Sequence, residues 1–142
     1  MTALRLPAAL DSLDELARYV LAFAVRAGLP PEAAYRLRLA VDELATNAVL
    51  HGYRGRDGEL RITTGMDAQT AWIRLEDDAP PFDPGAARPD PHIGLPLAQR
   101  PIGGLGIHLA LIALDDYQHT RTDGHNTSLL VIRRDHQADP TE

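Results

Sequence analysis

The chain has 142 residues, 44% of them apolar and 24% charged, with a net charge of −6, which suits one soluble domain burying about 70% of its unfolded surface. It contains no cysteine, excluding disulfides and thiolate metal sites, and an acidic balance without a basic stripe argues against direct binding of nucleic acid. All 14 basic residues are arginine, so a Walker P-loop, the lysine-dependent site of eukaryotic-type protein kinases and Schiff-base chemistry are excluded together.

Residues 4–6 form a short apolar run that begins an edge strand. From Asp11 to Gly28 the spacing of Leu13, Leu16, Ala17, Val20, Leu21 and Ala24 predicts a helix, with Ser12 and Glu15 as a capping box and Gly28 just past its end. Pro30 and Pro31 open a second helix that runs to about His51 on the stripe Leu37, Ala40, Val41, Leu44 and Ala48, and Gly52 stops it. Residues 59–64 and 71–76 alternate as strands around a hairpin turn at 65–69. Residues 79–101 hold seven prolines and read as an ordered start followed by a mobile lid. A glycine-opened helix is predicted over 103–114, then a closing hairpin of strands 117–121 and 128–133 around 123–126. The sum is an α+β two-layer sandwich, with helices on one face of a mixed, mostly antiparallel sheet. No apolar run approaches the ~20 residues of a membrane span, and residues 1–5 lack a secretory signal. A cytoplasmic protein is expected.

Three segments carry chemistry. In the second helix Glu43, Asn47 and His51 stand at i, i+4 and i+8, one row of a helix surface. A carboxylate and an amide one turn apart can share a hydrated divalent cation and polarise a hydroxyl. His51 is read as a capping or buried histidine beside Gly52. Asp77 ends a strand, and alternation sends Asp78 to the other face. Gly103, Gly104, Leu105 and Gly106 open a helix, where backbone amides and the helix terminus favour phosphate.

In this order, Glu43-x-x-x-Asn47-Ala48, then Asp77-x-x-x-x-Phe82-Asp83-Pro84, then Arg100-Pro101-Ile102-Gly103-Gly104-Leu105-Gly106-Ile107, the segments resemble the N, G1 and G2 boxes of the GHKL (Bergerat) ATPase fold. Within that superfamily the chain is similar to the small anti-sigma-factor serine/threonine kinases of bacteria. The resemblance implies ATP and Mg²⁺ as cofactors, Glu43 as general base, Asn47 as the Mg²⁺ ligand, Asp77 as acceptor of the adenine amino group, and Gly103 to Gly106 as a phosphate cradle. Arg100 is a candidate phosphate clamp. It implies one ATP-binding domain over 1–135 with a lid at about 84–101, and a frayed polar tail at 136–142. The implied partners are an anti-anti-sigma (STAS) protein, which would be phosphorylated, and a sigma factor, which would be sequestered; a homodimer through the N-terminal strand and helix is compatible with it. The chain departs from the pattern where the superfamily has glycine, at Ala79 and Pro81. If position 79 needs φ > 0 or a close approach to the base, its methyl group weakens nucleotide binding. The alternative is therefore a non-catalytic module that sequesters a partner, with nucleotide structural or absent; removing Glu43 separates the two. A third, weaker reading is an ATPase coupled to a conformational switch, turning over without a protein acceptor.

Overall fold

Two backbone punctuation points set the helical layer. In the computed structural model, which describes residues 2–54, 56–80 and 114–134, helix α1 (Leu13–Arg26) ends on Gly28 in the left-handed region at φ 74. The amides of Gly28 and Leu29 bond back to the carbonyls of Val25 and Ala24, both at 3.0 Å, a Schellman closure open to glycine without steric cost. Helix α2 (Pro31–Asn47) then starts with proline in its first turn, where the missing amide costs nothing. The expected capping box at Ser12 is not formed. A 3-10 turn over Leu10–Ser12 leads directly into α1, so Ser12 is already helical at φ −81 and ψ −12 and its side chain makes no cap bond.

Strands β1 (Thr2–Pro7), β2 (Glu59–Met66), β3 (Thr70–Asp77), β4 (Asp116–Thr122) and β5 (His125–Arg133) form a sheet in the order β1-β2-β3-β5-β4. Every described pairing is antiparallel. Period-two alternation places Leu60 and Ile62, Ala71, Ile73 and Leu75, and Leu130 and Ile132 on the face that meets the helices. There they pack with Leu16, Val20 and Phe23 of α1 and Leu37, Val41 and Leu44 of α2 in one core. Each large apolar side chain fully buried here is worth about 1.5–3 kcal/mol. The α2 stripe is the predicted one. In α1, Phe23 takes the inward place and Leu21 stays 39% exposed.

The sheet is what positions the candidate site. Its order puts β5 directly against β3, in a register that faces Asp77 with Asn126. The β2–β3 turn is pinned by Asp67, whose Oδ1 accepts from the amides of Gln69 (2.8 Å) and Thr70 (2.7 Å). The lid and the glycine-opened helix predicted over 84–114, and the tail from 135, fall outside the described residues except for Leu114. Among the described residues, no helix is long and apolar enough to cross a membrane.

Candidate nucleotide site

Helix α2 delivers Glu43 and Asn47 one turn apart, but the row does not continue to His51. After Asn47 the chain widens into a π-helical turn, Ala48–Tyr53, in which i→i+5 bonding shifts the phase of the later residues. Asn47 is buried, with 8% of its surface exposed, whereas His51 is exposed, which removes the buried alternative of its two expected readings. No hydrogen bond to the Asn47 carboxamide is present among the described residues. Glu43 is half-buried; burial first, and the charge of Asp42 second, push its carboxyl above the usual value. The π turn closes on Arg54, a left-handed residue at φ 54. Arg54 and Arg56 donate Nε to the carbonyls of His51 (3.4 Å) and Tyr53 (3.2 Å), satisfying acceptors that a helix end leaves open. With His51, Gly52 and Pro80 these arginines line an open cavity of about 270 Å³.

Asp77, the last residue of β3, is 9% exposed on the helix-facing side of the sheet. Its Oδ1 accepts from the amide of Ala79 at 3.0 Å and from Nδ2 of Asn126 at 2.8 Å. Among the described residues nothing donates to Oδ2. Ala79 is not in the left-handed region, and its amide is spent inside this Asx turn. The backbone freedom that would call for glycine is therefore not used, and the expected conformational cost of the methyl group does not arise. The methyl is buried against Gly52, where an added Cβ would lie 2.9 Å from it. A glycine on the opposite wall makes room for it.

Tyr53 ties these two walls together. Its hydroxyl donates to the Glu59 carbonyl (2.8 Å) and accepts the Asp78 amide (2.8 Å), so the end of the π turn holds the backbone next to Asp77. Asp78 diverges from Asp77 to the other face, as alternation predicts. There it takes a two-pronged pair from Arg61, both contacts at 3.0 Å, and a hydrogen bond with His125 Nδ1. The Arg61 bond holds its carboxyl down to about 2. A carboxylate lowered in the folded state stabilises above its unfolded value of 3.8 and loses that contribution as pH falls through its folded value. Acid titration monitored by circular dichroism is thus expected to show Asp78→Asn losing less stability than the parent between those values.

Asn126, which the sequence places between the hairpin turn and the start of the last strand and which reads there as a structural residue, bonds directly to Asp77. The turn is only Asp123-Gly124, with φ 53 and 81, so β5 begins at His125 and carries Asn126 opposite Asp77. Arg100, Gly103, Gly104, Leu105 and Gly106 lie outside the described residues. No group of three or more His, Asp and Glu side chains able to hold a metal is present among the described residues.

A two-layer sandwich with a carboxylate and an amide one turn apart on one helix and a buried aspartate at a strand end is compatible with a nucleotide-binding ATPase domain. Residues 6–132 match the family described as histidine kinase-like ATPase domain, and the chain belongs to it. Among proteins of that kind it is similar to the serine-protein kinase RsbW of Listeria innocua, 33% identical over 97 residues, which cover 66% of this chain and 62% of that protein. It is also similar to the serine-protein kinase RsbW of Bacillus cereus, 27% identical over 124 residues, which cover 85% of this chain and 78% of that one. The match thus spans less than two thirds of the Listeria relative's length. Among solved structures, the Acinetobacter baumannii histidine kinase AdeS shares the fold, with a TM-score of 0.51 at 16% identity over 95% of this chain and 70% of that one.

Proposed function

We propose that this domain is an ATP-dependent serine/threonine protein kinase of the cytoplasm, which phosphorylates an anti-anti-sigma (STAS) protein and sequesters a sigma factor. Support for the kinase class comes from the family and from the names of its relatives. The observation that carries the site is a pair of nine-tenths-buried oxygen donors, Asn47 and Asp77, on two walls that Tyr53 binds together. A carboxamide and a carboxylate oxygen that no described residue bonds are suited to a ligand.

The residues fit ATP with Mg²⁺. The Asn47 carboxamide is an oxygen donor with no competing hydrogen bond among the described residues, and Mg²⁺ takes few protein groups besides phosphate oxygens. Held through Asn47, Mg²⁺ would supply charge neutralisation on the phosphates. Asp77 Oδ2 accepts the 6-amino group of adenine beside the Ala79 methyl. Gly103, Gly104, Leu105 and Gly106 cradle the phosphates with backbone amides, and Arg100 clamps them in the role a lysine plays elsewhere. Glu43 takes the proton of the acceptor hydroxyl. The hydroxyl oxygen then bonds to the γ-phosphorus as the bond to the β,γ-bridging oxygen breaks and ADP leaves. Closure of the lid at 84–101 excludes water, the competing nucleophile.

Calorimetric titration with ATP–Mg²⁺ tests this reading. The parent is expected to bind, and Asp77→Asn, which removes a charged acceptor, to bind about 10–100-fold more weakly. Equal affinity in both would remove Asp77 from the base site. No binding by the parent at millimolar ATP would leave the partner-sequestering module as the function.

A further inference from the structure

The carboxylate of Asp77 is held by a chain of side chains that reaches the far edge of the sheet. Asn126, 4% exposed and opposite Asp77 in the β3–β5 register, spends both amide hydrogens: Nδ2 donates to Asp77 Oδ1 at 2.8 Å and to the Ala79 carbonyl at 3.0 Å. Its Oδ1 accepts from Arg121 Nη1 of the edge strand β4 at 2.8 Å, and the same Nη1 donates to the Ala79 carbonyl at 3.0 Å.

This arrangement admits one orientation of the amide. Turned over, Asn126 would set its oxygen against a carboxylate and a carbonyl, and its NH₂ against a guanidinium. Arg121 thereby fixes Asn126, and Asn126 fixes Asp77. With Oδ1 saturated by two donors, Oδ2 is the oxygen left to meet a ligand. A carboxylate so restrained cannot swing to suit a base that offers an acceptor in place of a donor. The unpaired-group penalty then falls on the wrong base alone.

We infer that Asn126, oriented by Arg121, is a positioning residue that sets the selectivity of this site for a 6-aminopurine over a 6-oxopurine nucleotide. This rests on the reading of Asp77 as the base acceptor. Neither residue needs to touch the nucleotide; both act through Asp77.

The test is the ratio of dissociation constants for ATP and inosine triphosphate, measured calorimetrically with Mg²⁺ on the parent, Asn126→Ala and Arg121→Gln. The parent is expected to prefer ATP by about 10–100-fold. Asn126→Ala is expected to lower that ratio about tenfold and Arg121→Gln about threefold, in keeping with one and then two steps of removal from the carboxylate. A purely structural role would weaken both nucleotides together and leave the ratio alone, which would overturn the inference. Arg121 is an exposed residue of an edge strand, so its variant keeps the experiment decisive should Asn126→Ala not fold. A parent that binds neither nucleotide overturns the base-acceptor reading itself. A parent that prefers ATP, with the preference undiminished in both variants, overturns only the positioning role.

Discussion

Replacing Glu43 with glutamine is expected to lower phosphoryl transfer about 10²–10⁴-fold and to leave ATP affinity nearly unchanged. Glutamine keeps the length and the hydrogen-bonding oxygen but cannot take up a proton, so it removes one role and little else. The environment of Glu43 suits that role. Half-burial in the wall of α2 and the neighbouring charge of Asp42 raise its carboxyl above the ordinary 4.5, toward a physiological working pH, where a general base is most effective. The base works deprotonated, so turnover falls as pH drops through the raised value, and the acid limb of the rate profile lies above 4.5. Single-turnover transfer from labelled ATP to an anti-anti-sigma protein measures both the loss and the limb. A variant that transfers at the parental rate would deny Glu43 the role of base. Loss of transfer with sigma-factor binding intact would separate the kinase from the sequestering function in a single chain.

The features legible in the sequence and those that are not divide along physical lines. Apolar periodicity locates α2, because Leu37, Ala40, Val41, Leu44 and Ala48 bury one stripe whatever else the chain does. Strict alternation separates Asp77 from Asp78, and the two carboxylates do serve opposite faces. The π turn is not legible. Its wider winding coincides with tertiary contacts at its end, Tyr53 bonding Glu59 and Asp78 and Gly52 meeting Ala79, and local pattern carries no record of these. That is why the row from Glu43 through Asn47 stops short of His51. At Ala79 only the backbone half of the expectation is answered, because the conformational cost of a methyl group depends on φ, which is not left-handed there, and the Gly52 that the methyl packs against lies far from it in sequence. Asn126 is within reach of sequence reasoning. Asp-Gly is the strongest signal for a two-residue hairpin loop; reading Asp123-Gly124 as that loop starts β5 at His125 and sets Asn126 across from Asp77.

Tyr53 joins both walls of the site to the core, and its truncation is expected to be among the costliest single changes outside the apolar interior. The ring is buried, and the segment after it is shaped around it: a Cβ at Gly58 would collide with the ring. Tyr53→Ala is therefore expected to cost about 3–5 kcal/mol, and Gly58→Ala to destabilise in the same direction by displacing the ring. Tyr53→Phe isolates the hydroxyl. It keeps the packing but leaves the Asp78 amide without its 2.8 Å acceptor and the Glu59 carbonyl without its 2.8 Å donor, at an expected cost of about 1–3 kcal/mol. Urea denaturation gives these differences, and the functional corollary is read by ATP titration of the phenylalanine variant. If the hydroxyl holds the Asp77-Asp78-Ala79 backbone against the π turn, affinity falls along with stability, because Asp77 loses the fixed frame from which Oδ2 is presented. A phenylalanine variant as stable as the parent would show that the hydroxyl does not hold that frame. One that is less stable but binds ATP equally well would show that Asn126 and Arg121 suffice to aim the carboxylate from the opposite strand.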